Sequence, residues 1–170
     1  DAPVLVARRG AVLHIRLNRP KALNSLTLEM IRIIAAALDV AEKDTAVGLV
    51  VIDGAGERGF CAGGDIRSVS ESGRAGDGIA QAFWRAEYAV NARIAAFPKP
   101  YVAFMDGITM GGGVGLSAHG SHRIVTERTR LAMPETGIGF IPDVGGTWLL
   151  ARAPGETGTY MGLTGNSVGA

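Results

Sequence analysis

Glu135 and Asp143 stand eight residues apart in the stretch MPETGIGFIPDVGG, and every residue between them is uncharged. A carboxylate is costly to bury among apolar residues and glycines unless it is paired or put to use as an acid, base or nucleophile. Glu87 is a third candidate. It falls on the apolar stripe Phe83, Val90, Ile94 and Phe97 of a predicted helix. Spacing alone leaves two readings of it: a stripe-edge glutamate that reaches water or pairs with Arg93, or a third acid facing the pocket of Glu135 and Asp143. Two glycine-rich turns, FCAGGD and MGGGVG, each follow a strand-like run. Two backbone N–H groups aimed at one point form an oxyanion hole, and glycine lets a carbonyl approach closely enough to use it. Acids near such a hole point to acyl or enolate chemistry at a carbonyl, with no metal and no redox cofactor. The bland alternative has the glycines serving turns and the acids capping helices.

Other chemistries find less support. GGGVGL has Leu116 where a dinucleotide fingerprint needs glycine, and no phosphate-binding G-x-x-x-x-G-K-[ST] run exists. His119 and His122 have an HxxH spacing but no third ligand of good type nearby, so no metal is expected. Ser117 lacks a G-x-S-x-G elbow, and Cys61 reads as a packed thiol without a histidine partner. The net charge of +1 gives no reason to expect nucleic acid or an anionic membrane as partner. A lone cysteine cannot make an internal disulfide, which sets the expectation of a cytoplasmic protein.

The elements that must position these residues read as strands alternating with helices, an α/β pattern with parallel pairing. AVLHIRLN alternates, with Leu13, Ile15 and Leu17 on one face. Thr27 or Ser25 can cap a helix whose core face is Met30, Ile34, Leu38 and Ala41. VGLVVIDG and YVAFMDG are continuous apolar runs, expected to be buried on both sides. GIAQAFWRAEYAVNARIAAF is a second helix stopped by PKP, GGGVGLSAH opens a short one, and TWLLARA is the last clear helix. SHRIVTE and TRLAMPE read as short strands, and the tail GLTGNSVGA has no closing element.

The ordered set NRPKALNSLT, FCAGGDIR, PKPYVAFMDGITMGGGVGLSAHG and MPETGIGFIPDVGG resembles the crotonase, or enoyl-CoA hydratase/isomerase, superfamily from about Val4 to Gly165. The resemblance implies a spiral of ββα turns forming a single acyl-CoA-binding core over residues 1–170. The family's C-terminal helices, which help cover the site and build trimers, have no counterpart in this sequence. The expectation is therefore a C-terminally incomplete core and a homo-oligomer when full length. Acyl-CoA is the implied partner, with CoA part of the substrate rather than a cofactor. Gly64 and Gly112 match the family's two N–H donors to the thioester oxygen. Lys21, Ala22, Leu23, Asp65, Ile66 and Arg67 match its CoA contacts. Glu135 matches one of the two catalytic glutamates of a hydratase, while the other position is Gly115, which has no group to hold water. Glu87 in RAEYAVN, Gly115, PETGIGF and IPDVGG together resemble the 3-hydroxyisobutyryl-CoA hydrolase branch. There the residues matching Glu87, Gly112, Glu135 and Asp143 contact substrate and the last two acids serve catalysis. The implied activity is hydrolysis of a short branched 3-hydroxyacyl-CoA thioester in valine breakdown. Glu135 would attack or activate water, and Asp143 would protonate the thiolate. A hydratase or isomerase of the same superfamily, or a non-catalytic acyl-CoA-binding subunit, are the alternatives.

Overall fold

Leu13, Ile15 and Leu17 are all buried, as their alternation predicts. In the computed structural model, which describes residues 2–170, they lie on the second strand of the chain. The first half runs β1 (Val4–Arg9), β2 (Val12–Leu17), α1 (Leu28–Lys43), β3 (Leu49–Gly54), β4 (Gly59–Cys61), α2 (Ile66–Ala75) and α3 (Ile79–Ala95). The second half runs β5 (Tyr101–Met105), β6 (Ile108–Met110), α4 (Gly112–Ser117), β7 (His122–Val125), β8 (Arg130–Ala132), a 3₁₀ turn (Pro134–Ile138), α5 (Gly146–Leu150) and α6 (Thr157–Thr164).

From β3 onward two strands are followed by helical structure, three times over. The first strand of each pair joins a sheet ordered β1-β2-β3-β5-β7, and the second joins a smaller sheet ordered β4-β6-β8. Among the named strands of the described residues β1 and β2 run antiparallel and the other strand pairs are parallel. This is the ββα spiral that the resemblance implies. The small sheet has the greater consequence for function. Thr109 pairs with both Cys61 and Leu131, and Met110 with Ala132, so its three strands end at one level. The residues that leave those ends, Ala62 to Gly64, Gly111 to Gly112, and Met133 to Glu135, are thereby gathered from distant parts of the chain. Close approach demands glycine here: a Cβ on Gly113 would collide with the Cys61 carbonyl oxygen, so only glycine lets α4 start against β4.

Thr27 caps α1, its hydroxyl accepting from the Met30 N–H at 3.3 Å, and Met30, Ile34, Leu38 and Ala41 are buried. Arg93 on α3 pairs across to Asp39 and Glu42 on α1. It is therefore not the partner of Glu87.

Three expectations need correction. In β3 and β5, Val50, Ile52, Tyr101, Ala103 and Met105 are buried, but Val51 and Val102 are half-buried and Phe104 is exposed. An apolar run shows that a strand can be covered twice, not that the chain supplies both covers. TWLLARA is not the last helix, since α6 follows it and ends at Gly165, whose φ of 68° suits a left-handed cap. The tail is also tied down. Leu131 and Val168 exchange backbone hydrogen bonds of 2.9 and 2.8 Å at the open edge of β8.

Candidate active site

One cavity of about 370 Å³ opens where the small sheet ends. Gly64, Gly111, Gly112 and Glu135 reach it from the three strand ends, Glu87 from α3, and Asp143 from the loop after the 3₁₀ turn. Ile66, Val69, Phe83, Trp84, Ile138 and Phe140 supply apolar walls, and the rings of Trp84 and Phe140 stack with centroids 5.8 Å apart.

The amides of Gly64 and Gly112 donate to no protein acceptor among the described residues. They lie close together: a Cβ on Gly112 would sit 3.4 Å from the Gly64 nitrogen, and one on Gly63 would sit 3.4 Å from the Gly112 nitrogen. Gly112 is also the first residue of α4, where an N–H has no partner within the helix. Two free amides side by side at a cavity wall can hold one developing oxyanion.

The acids crowd the same turn. A Cβ on Gly112 would strike Glu87 Oε1, and one on Gly111 would come within 2.8 Å of Glu135 Oε1. Glu87 is 2% exposed and Glu135 7%. Glu87 Oε1 and Glu135 Oε2 have no hydrogen-bond partner among the described residues. Of the two readings of Glu87, the structure bears out the buried acid that faces the cavity. Burial pushes Glu87 up to about 8, and the charges of Asp143 and Glu135 push the same way. Burial likewise raises Glu135 to about 7, with Asp143 adding to it. Asp143 is raised by burial, but the Tyr88 hydroxyl donates to its Oδ2 at 2.7 Å and pulls in the opposite direction. Asp143 thus has a donor to stabilise its charge, whereas Glu135 Oε2 has none among the described residues.

These shifts carry a stability cost with a defined sign. Glu87 and Glu135 both lie above their ordinary 4.5, so the stability they contribute is full below about pH 4.5 and is lost as the pH climbs through 7 and then 8. Glu87→Gln keeps the shape and cannot ionise. We expect it to raise stability at pH 9 by on the order of a few kcal/mol and to leave it nearly unchanged at pH 4. Urea unfolding at the two pH values checks this, and an equal change at both would refute the assignment of strain to the Glu87 charge.

The remaining sequence candidates separate clearly. Of the six residues matched to CoA contacts, only Ile66 lines the cavity. Lys21, Ala22 and Arg67 are exposed outside it. Leu23 and Asp65 belong to a backbone seam beside it, in which the Leu23 carbonyl accepts from Ala62 N–H at 3.0 Å and Asp65 N–H donates to Leu26 at 2.9 Å. The Asp65 carboxylate is taken up by Arg19 at 3.1 Å and by capping α2. Cys61 is fully buried, its thiol held at the Asn24 carbonyl and pushed up to about 12 by burial, which fits a packed thiol and not a nucleophile. Ser117 donates to the Gly113 carbonyl at 2.7 Å within α4. His119 contacts the Val144 carbonyl, whereas His122 contacts Ser121, and no group of three metal-ligating side chains occurs among the described residues. Sequence reading missed Tyr88. Its place directly after Glu87 was the available signal, but only the fold brings it to Asp143.

A ββα spiral with two free glycine amides facing buried acids defines the class. Residues 12–170 match the enoyl-CoA hydratase/isomerase family, and the chain belongs to it. It is 55% identical over 162 residues to the mitochondrial 3-hydroxyisobutyryl-CoA hydrolase of Danio rerio, covering 95% of this chain and 42% of that protein. With the human protein of the same name the identity is 52% over 162 residues, again 95% and 42% of the two chains. Among solved structures, a carnitinyl-CoA dehydratase from Mycobacterium thermoresistibile superposes with a TM-score of 0.97 at 53% identity, over 99% of this chain and 50% of that one. An enoyl-CoA hydratase from Rhodobacter sphaeroides 2.4.1 gives 0.95 at 54% identity, with the same coverage of 99% and 50%. The chain thus spans about two fifths of the curated relatives' length. The hydrolases are named as mitochondrial, which overturns the expectation of a cytoplasmic protein. A single buried thiol reports only that no internal disulfide forms, and that does not distinguish one reducing compartment from another.

Proposed function

We propose that the protein hydrolyses a short branched 3-hydroxyacyl-CoA thioester, with 3-hydroxyisobutyryl-CoA as the substrate and valine breakdown as its setting. The reading is carried by one observation: Glu87, Glu135 and Asp143 converge on a single cavity with the free amides of Gly64 and Gly112. The thioester oxygen would sit between those amides, each worth about 10²–10³-fold in rate where an oxyanion develops. Ionised Glu135 would take a proton from water as that water attacks the carbonyl carbon, or attack the carbon itself to leave an acyl-glutamyl anhydride that water then cleaves. As the tetrahedral centre collapses, the C–S bond breaks with its electron pair on sulfur, and Asp143 delivers a proton to the thiolate. Glu87, largely protonated at neutral pH, would hold the 3-hydroxyl.

The names of the two solved structures favour a second reading, a hydratase or dehydratase. Position 115 speaks against it. Gly115 carries no acid, and a Cβ there would lie 2.7 Å from Val144 Cβ and 2.8 Å from Asn91 Nδ2, so no carboxylate stands at that place to take a proton from water. The full-length protein should release free CoA from 3-hydroxyisobutyryl-CoA and barely hydrate crotonyl-CoA. Hydration at a rate comparable to thioester cleavage would overturn the hydrolase reading, and tight acyl-CoA binding without turnover would leave a binding subunit.

A further inference from the structure

Val144 has a φ of 48° and is 3% exposed. A β-branched residue enters that region only at a cost in backbone strain, and it stays there only when its surroundings hold it. Three contacts do so. Its side chain occupies the space above Gly115, where a Cβ would lie 2.7 Å from Val144 Cβ, 3.1 Å from its Cγ2 and 2.8 Å from Asn91 Nδ2. Its carbonyl oxygen lies 2.7 Å from His119 Nε2, and since a carbonyl can only accept, the ring N–H donates. The following Gly145, at φ 74°, lies so close to the same ring that a Cβ would come within 2.8 Å of it. Gly146 N–H then closes the turn on the Asp143 carbonyl at 2.6 Å. Asp143 immediately precedes this clamped residue. Where Val144 sits therefore decides where the Asp143 carboxylate points, which is into the cavity and onto Tyr88.

We propose that Gly115, Val144 and His119 are the positioning residues for Asp143, and that any side chain at position 115 and a correctly placed acid at position 143 exclude each other sterically. Gly115 is then more than a position without an acid. It is the seat that lets the strained turn close. The activity consequence rests on the hydrolase reading, whereas the geometric one does not.

The test uses the full-length protein and the variants Gly115→Ala, Val144→Gly, Gly115→Ala with Val144→Gly, His119→Leu and His119→Gln. Each is crystallised and assayed for kcat and KM on 3-hydroxyisobutyryl-CoA. Gly115→Ala should eject Val144, break the Tyr88–Asp143 hydrogen bond and lower kcat about a hundredfold with KM little changed. Adding Val144→Gly removes the branched side chain and suits the positive φ, which leaves only the Asn91 amide end, 2.8 Å from the new Cβ and free to rotate aside, so the double variant should regain the bond and most of kcat. Where Gly115→Ala does not fold, the histidine pair decides. His119→Leu should lose kcat, and His119→Gln, which keeps an N–H donor, should retain it. A Gly115→Ala protein with the Tyr88–Asp143 bond intact and kcat unchanged would overturn the proposal, as would a double variant no better than Gly115→Ala. If the wild type releases no CoA, the hydrolase reading fails, and the crystal structures alone decide the positioning of Asp143.

Discussion

Glu135→Gln is expected to lower kcat for thioester cleavage by about 10²–10⁴-fold and to abolish the acidic limb of the pH–rate profile. Glutamine keeps the length of the side chain and most of its hydrogen bonding, so the binding cavity should survive and KM should change little. What is lost is the charge. Burial holds Glu135 at about 7, so in the wild type the reacting carboxylate is scarce at pH 5.5 and gains as the pH rises past 7. The rate should climb as Glu135 ionises and fall again where Asp143 gives up the proton that the thiolate needs. In the variant no group in the cavity replaces the base: Glu87 sits still higher, at about 8, and is more buried. Measuring kcat/KM from pH 5 to 9 for both proteins checks the assignment. A variant that keeps the same acidic limb at a uniformly reduced rate would show that another group supplies the charge.

Much of this site was legible in the sequence because acids in apolar surroundings are conspicuous. Glu135 and Asp143 stand in an otherwise uncharged run, and Glu87 interrupts a helical stripe. Their common cavity was not legible from spacing, because it depends on the small sheet ending its three strands at one level. The two free amides left a fainter trace, only glycines after strands. Residues that act through geometry left none. Nothing in valine announces a positive φ at position 144, and a histidine whose job is to hold a carbonyl looks like any other. Tyr88 is similar, since its partner is distant in the chain. The strands themselves were read from alternation and apolar runs, which fix the face that is buried but not whether the other face finds a cover, as Phe104 shows. The closing helix α6 was missed for a related reason. Its sequence, TGTYMGLT, has two glycines and two exposed apolar side chains, Tyr160 and Leu163, so no amphipathic stripe marks it.

Asp143→Asn should cost as much as Glu135→Gln on a CoA ester and far less on a thioester with a better leaving group. CoA is an alkyl thiol, and its departing thiolate is basic enough to need a proton as the C–S bond breaks. A thiophenyl ester of the same acid expels a weakly basic anion that leaves without help. General-acid assistance contributes about 10²–10⁴-fold where it is needed and little where it is not. The variant should therefore lose that factor on the CoA ester and recover most of it on the thiophenyl ester, whereas Glu135→Gln should fall on both. Tyr88 sharpens the comparison. Its hydroxyl donates to Asp143 at 2.7 Å and favours the ionised form. Tyr88→Phe should therefore raise the pKa of Asp143 and move the basic limb of the CoA-ester profile to higher pH. Equal losses for Asp143→Asn on both esters would instead make Asp143 an orienting group. Glu135 would then carry both proton transfers by itself.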